Sequence, residues 1–392
     1  MKRDRAKISR IKEAMRQAGL VALVLRLPEN VTYLSGAWCG RGLTYLIFPL
    51  EKDPTLIHPV GEPLPATWIK DVRFYKWETY EHLGSSLEVG IEYVHKTLFE
   101  MGINSGAIGI EHGWELVLSS PLRYEMNIVG ERTVNMLKQK LSSFTLEDAS
   151  RLLVVSRSIK TAAEVEALRK TNRIAREGLV TFHDSLTPGL TEVELSTKIE
   201  REILTEGVLK HRANRVIACA FLASGSDTQY AYKYVPGSAR RKLRRGDLVM
   251  LELDVVADGY SSDTTRTYVV GRPNKRQKML LEAVHEAETE AVSSIRPGIN
   301  ASEIARISIE VIRRHGLSRY LVHRLGHGIG VGIHEPIPAL HIESKDVLVP
   351  GMVHSVEPGI YGPRIGGIRI EDDVLDTLKG AVYLSDYLRL QE

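Results

Sequence analysis

Four carboxylates and one imidazole of metal-ligand type, Glu252, Asp263, His327, Glu357 and Glu371, sit in three apolar segments of the chain: LELDVVADGYSSDTTRT, HRLGHGIGVGIHEP and GMVHSVEPGIYGPRIGGIRIEDD. An ionised carboxylate among Val, Leu and Ile is costly unless a cation or hydrogen-bond donors compensate it. Repeated acids in such segments therefore point to bound metal. One His with four carboxylates is a mostly hard, oxygen-rich set. It suits Mn(II), Fe(II), Co(II) or Zn(II), and it has enough ligands to bridge two ions.

The neighbours of these residues extend the set. On a strand, Glu252 and Asp254 project to one face. ADGY reads as a turn, which returns Asp263 on the adjacent strand opposite or near Glu252. Met250-Leu251, Val255-Val256 and Tyr268-Val269-Val270 predict that this strand pair is buried on both faces. His323, His327 and His334 alternate with Gly326, Gly328, Gly330 and Gly332, a density that lets backbone approach a ligand closely. Only one of the three histidines need bind metal; the others can polarise a carbonyl or donate a proton. Arg369 lies on the same strand face as Glu371. It is placed to orient a ligand carboxylate, to meet a substrate carboxylate, or to pair with Asp372 or Asp373.

The elements that must position these groups show an internal repeat. TPGLTEVELSTKIEREILTEG (187–207) matches RPGINASEIARISIEVIRRHG (296–316) without a gap, and Gly207 and Gly316 are expected to end the two helices. Gly246-Asp247-Leu248…Glu252 then parallels Gly351-Met352-Val353…Glu357, with Asp263 and Glu371 following. Each half thus supplies one strand with a carboxylate and then a second strand with another. Two such halves facing each other would bring four carboxylates onto one axis.

The N-terminal part reads differently. Ile8, Ile11, Met15 and Ala18 mark a helical face ending at Gly19, and LVALVLRL, NVTYLSG, LTYLIFPL, IHPV and AIGIE read as strands around an amphipathic stretch near 87–101. This predicts an α/β first domain. SRSIKTAAEVEALRKTNRIAREGLVTFHDSL reads as a long helix with Thr161 and Glu164 as a capping box. The domain boundary falls between about Leu152 and Lys160, giving 1–155 and 156–392.

Composition excludes several classes. A net charge of +3 over 392 residues is too small to argue for nucleic acid or an anionic membrane. No apolar run approaches membrane-spanning length, and LVALVL is too short for a signal core. Cys39 and Cys219 are far apart and fit a reducing compartment. A cytoplasmic protein is expected. SGSDT is not a nucleophile elbow, and no phosphate loop or dinucleotide fingerprint is present.

At SDTTRT, GHGIG, HE, VEPGIY and GGIRIED the chain resembles the pita-bread metallopeptidases: methionine aminopeptidase, aminopeptidase P, prolidase and their relative creatinase. YLSG after a strand is similar to the YLTG of the creatinase/prolidase N-terminal domain. The resemblance implies two domains, a small creatinase-type α/β domain and a C-terminal pita-bread domain of α+β type with a pseudo-twofold repeat. It implies two divalent ions (Mn, Co, Zn or Fe) held by residues matching Asp263, His327, Glu357 and Glu371. His323 and His334 match residues contacting substrate, and Glu357 matches the carboxylate that shuttles a proton. The implied reaction is cleavage of an amide bond by a metal-bound hydroxide in a short peptide, of the Xaa-Pro dipeptidase or aminopeptidase type, in a homodimer. Two departures bear on substrate. The first ligand, Asp in the peptidases, is Glu252, and the usual Gly two residues on is Asp254, which could ligate in place of Glu252 or bind a cationic substrate group. The Pro-His-Tyr segment before it reads TQYAYKYVPGS, with Lys233 or Val235 where the family carries His. These departures keep open a small-molecule substrate, as in creatinase, ectoine hydrolase or a dimethylsulfoniopropionate lyase, and less so a degenerate binding protein.

Overall fold

The computed structural model describes residues 3–39, 43–81, 83–113, 129–231, 240–385 and 387–390. It divides the chain into two compact units, Met1–Arg157 and Ser158–Glu392.

The first unit runs α1 (Arg5–Gln17), β1 (Leu20–Leu25), α2 (Pro28–Ser35), β2 (Tyr45–Pro49), β3 (Thr55–Pro59), β4 (Asp71–Tyr75), α3 (Ser86–Glu100), β5 (Gly106–Ile110), α4 (Glu131–Lys140), β6 (Phe144–Asp148) and α5 (Ser150–Ser158). Its six strands form one mixed sheet in the order β4-β3-β2-β1-β5-β6. α1 buries Ile8, Ile11 and Met15 and starts at Asp4, whose carboxylate accepts from the Lys7 amide. NVTYLSG, expected as a strand, is instead the body of α2. The reason is non-local. Leu27 at the N-cap offers no side-chain cap, and the carboxylate of Glu111, at the end of β5, accepts the amides of Arg26 at 2.7 Å and Leu27 at 2.9 Å. A residue more than eighty positions away thus fixes the backbone that leads into α2.

The second unit begins with α6 (Ala162–Asp184), α7 (Glu192–Leu209), β7 (Val216–Ser224), β8 (Leu248–Ala257), β9 (Tyr260–Val269), α8 (Lys275–Ser293) and α9 (Ala301–Arg314). It continues with β10 (Gly326–Gly328), β11 (Glu335–Leu340), β12 (Val353–Val356), β13 (Gly359–Gly362), β14 (Gly366–Arg369), β15 (Asp372–Thr377) and β16 (Gly380–Tyr383). The expected long helix with Thr161 and Glu164 as its capping box is α6; the residues before the turn at Ile159–Thr161 close a separate helix, α5. The repeat is visible in backbone geometry. Gly189 (φ +94°) and Gly298 (φ +87°) make the same turn into α7 and α9. Gly316 (φ +71°) follows α9 as expected, but Gly207 lies inside α7, packed against Val216 and Ile174. The shared glycine there serves close packing in one half and termination in the other.

Strand alternation then sorts the side chains. Val249, Leu251, Leu253 and Val255 of β8 pack onto Ile174, Leu179, Phe182, Leu195 and Ile199 of α6 and α7. The intervening residues of β8, including Glu252 and Asp254, face the other way. α8 and α9 cover the second half in the same manner, against Leu340, Val356 and Val374 on one side and Ile360, Ile368 and Ile370 on the other. β7-β8-β9 and β11-β10-β12-β15-β16 are separate antiparallel sheets, joined where Thr265 of β9 bridges Glu371. The α/β character expected of the chain is thus observed. Among the described residues no helix is long and apolar enough to cross a membrane.

Two glycines of the His-rich segment, Gly326 and Gly328, are required by close approach of backbone. A methyl group on Gly326 would overlap the backbone oxygen of Ser355, and one on Gly328 that of Ile337. Gly326→Ala is expected to destabilise the second unit by roughly 1–3 kcal/mol through overpacking, read as a lower urea midpoint at unchanged m-value; an unchanged midpoint refutes the close-approach reading.

Candidate metal centre

The hairpin β8–β9 turns through Asp258 (φ +50°) and Gly259 (φ +89°), the two-residue turn that keeps strand register. That register sets Asp254 directly opposite Asp263 and Glu252 opposite Thr265. Asp263 therefore faces Asp254 rather than Glu252. From the other half, His327 stands on β10, Glu357 just after β12, and Glu371 between β14 and β15. His327 Nε2 lies 3.5 Å from Asp263 Oδ2 and 3.6 Å from Glu357 Oε1. His334 Nε2 lies 4.0 Å from Asp263 Oδ2, and His323 Nδ1 lies 3.8 Å from Glu357 Oε2. Three overlapping groups have ligand atoms within 4.8 Å of one another: Asp263, His327 and His334; His327, Glu357 and Glu371; Glu252, Asp254 and Asp263. The structure thus brings all five candidate ligands together with Asp254, His323 and His334.

Hydrogen bonds fix the tautomers. His327 Nδ1 donates to the Gly328 carbonyl, which can only accept, so the Nε2 lone pair is directed at Asp263 and Glu357. His323 Nδ1 donates to the Arg324 carbonyl at 2.8 Å, and its Nε2 accepts from the Tyr361 hydroxyl at 2.9 Å. Arg369 is 1% exposed. Its guanidinium is in close ion contact with Glu252 and lies 3.8 Å from Glu371, and Nη1 donates to the Tyr361 hydroxyl. Asp372 is paired with Arg266 instead. Thr265 Oγ1 sits 2.6 Å from Glu252 Oε2 and 2.7 Å from Glu371 Oε2, and accepts from Arg369 Nε. A hydroxyl has a single proton, so it donates to only one of these carboxylates at a time.

Charge crowding shows in the titration. Burial, then Glu371 and Asp263, push the Glu357 carboxyl well above the usual carboxylate range. Burial and Asp263 push Glu371 up to about 7. Burial pushes His327 down to about 3, so it stays a neutral donor. Behind Asp263, burial and the same charge push Asp373 well up, while Asn172 donates to it at 2.9 Å. These residues fit divalent cations. The donors are oxygen and imidazole nitrogen, and Glu371 Oε1 is buried without a hydrogen-bond partner.

Sequence reasoning missed Thr265 and Tyr361. Thr265 carried a signal, since it lies two residues past Asp263 on the same strand face. Tyr361 carried none beyond its place in a strand next to Glu357. Lys233 and Val235 lie outside the described residues. Beside the centre, a cavity of about 100 Å³ is lined by Ile309, Leu321, His323, Arg324, Leu325 and Pro358 among others.

Comparison with known proteins places this geometry. Residues 166–377 match the model of metallopeptidase family M24, and residues 7–159 that of the creatinase/prolidase N-terminal domain. The chain is 35% identical over 379 residues to the Xaa-Pro dipeptidase of Pyrococcus furiosus, covering 97% of each. It is 32% identical to that of Pyrococcus horikoshii, over 97% of this chain and 96% of the relative. The crystal structure of the prolidase from Pyrococcus horikoshii OT3 superposes with a TM-score of 0.77 at 30% identity, over 98% of this chain and 99% of that one.

A carboxyl raised in the folded state binds a proton the unfolded chain has released, so its contribution to stability is lost as pH rises through the folded value. Above about pH 7.5 a histidine of ordinary value is almost wholly neutral in the unfolded chain as well, so the depressed histidines contribute little, whereas Glu288, pushed up to about 8 by burial, still holds a proton that the unfolded chain has lost, and Glu357 and Asp373 are displaced in the same direction. The thermal midpoint of chelator-treated protein is therefore expected to fall between about pH 7.5 and 8.5, and added Mn(II) to reduce the fall. A midpoint that rises over this range overturns the charge assignment.

Proposed function

The chain belongs to metallopeptidase family M24, and on that premise we propose that it is a metal-dependent peptidase of the Xaa-Pro dipeptidase or aminopeptidase type acting on short peptides. The observation that carries the proposal is the buried convergence of Asp263, His327, Glu357 and Glu371 from two related strand pairs, with His323 and His334 flanking them. Two divalent ions, drawn from Mn, Co, Zn and Fe, match this donor number. When bound they supply Lewis acidity toward a water and the scissile carbonyl.

The protein's own groups do the rest. Glu357 takes a proton from the attacking water and returns it to the leaving nitrogen; its place against both His327 and His323 keeps that transfer inside the centre. His334 stands at the Asp263 side and His323 at the Glu357 side, so a peptide lying between them presents its carbonyl to both. Tyr361 holds His323 with Nε2 as acceptor. Among the described residues the cavity beside His323 has a mostly apolar lining with the Arg324 guanidinium at it, which suits a small apolar residue ending in a carboxylate.

Hydrolysis of a panel of Xaa-Pro dipeptides and tripeptides with Mn(II) or Co(II) tests the reading. Turnover that chelator abolishes and metal restores is expected. Glu357→Gln is expected to lower kcat by roughly 10²–10⁴-fold. Normal metal uptake without peptide turnover would overturn the peptidase assignment and leave the small C–N substrates, toward which the departures at Glu252 and Asp254 point.

A further inference from the structure

Glu252 and Asp254 share one face of β8, yet their surroundings differ. Glu252 Oε2 lies 2.6 Å from Thr265 Oγ1 and in ion contact with the Arg369 guanidinium. Arg369 is 1% exposed, so drawing Glu252 onto a cation would leave a buried guanidinium beside that cation. Asp254 is 3% exposed, lies directly opposite Asp263, and belongs with Glu252 and Asp263 to a group whose ligand atoms fall within 4.8 Å. Three buried carboxylates this close repel one another, and it is Glu252 that makes the contact with Arg369. On the far side of Thr265, Glu371 Oε1 is buried with no hydrogen-bond partner.

We propose that Asp254 supplies the carboxylate ligand of the ion on the β8–β9 side, together with Asp263, and that Glu252 is the buried counter-ion of Arg369 instead of a ligand. Geometry gives the reason. The Glu252 carboxylate is one methylene further from the backbone than an Asp in its place, which carries it toward Arg369. Asp254 starts level with Asp263 across the hairpin, and its charge replaces the one that Arg369 takes up. A departure of two residues is then a single exchange of roles. The inference rests on the metal-dependent reading above.

Calorimetric titration of the chelator-treated full chain with Mn(II) alone tests it, alongside thermal midpoints and circular dichroism. Two equivalents are expected for the unaltered protein. Asp254→Asn is expected to retain the fold and to lose the second equivalent or bind it at least about tenfold more weakly. Glu252→Gln is expected to retain both equivalents and to show a lower thermal midpoint, because Arg369 loses its counter-ion. If Asp254→Asn does not fold, Asp254→Ser takes its place with the same expectation. Two equivalents in the Asp254 variant, or loss of one in Glu252→Gln, overturns the proposal. Less than one equivalent in the unaltered protein instead overturns the metal-dependent reading itself, which separates the two failures.

Discussion

The interaction on which the second unit depends is repulsion among carboxylates buried in one small volume. Glu252, Asp254, Asp263, Glu357 and Glu371 are all removed from bulk water or nearly so, and Asp373 stands behind Asp263. Protein dipoles alone do not stabilise so many negative charges. Among the described residues the Arg369 guanidinium meets Glu252 and Arg324 acts on Glu357 from further off; protons or divalent cations supply further compensation. The upward displacement of Glu357, Glu371 and Asp373 is the protonated answer. A bound cation is the other.

This explains the construction around the acids. Residues facing α6 and α7 from β8 are Val and Leu, so rigidity comes from one strand face and chemistry from the other. A chain of contacts then joins the two halves of the centre: Glu252 to Arg369, Arg369 to Tyr361, Tyr361 to His323, and His323 to Glu357. Its members come from β8, β13 and β14 and from the segments just before β10 and after β12. Glycines at Gly326 and Gly328 allow β10 to lie close enough to β11 and β12 for His327 to reach in.

Much of this was legible in the chain. Period-two alternation put Glu252 with Asp254, the Asp-Gly turn predicted the hairpin, and Thr161 with Glu164 marked a helix start that is present. The misreadings share one physical cause. NVTYLSG has β-type residues but is helical, and Glu111, far away in sequence, fixes the backbone entering α2 by accepting the amides of Arg26 and Leu27 just before it. Gly207 looks like a helix end but is held inside α7 by packing against Ile174 and Val216. In both cases a distant partner outweighs local propensity, which is worth only tenths of a kcal/mol to about 1 kcal/mol per residue.

The sequence by itself determined the kind of chemistry. Side-chain type sets ligand hardness, and carboxylates placed among aliphatic residues announce a cation whatever the fold. It also determined which residues share a strand face, because that periodicity is a property of the backbone. Only the tertiary structure decided which acid meets which partner. The register of β8 on β9 set Asp254 against Asp263, and the arrival of β14 gave Glu252 to Arg369. Electrostatic energy depends on distances of a few ångströms, between residues nine positions apart for Asp254 and Asp263 and 117 apart for Glu252 and Arg369, and those distances do not exist until the strands pair.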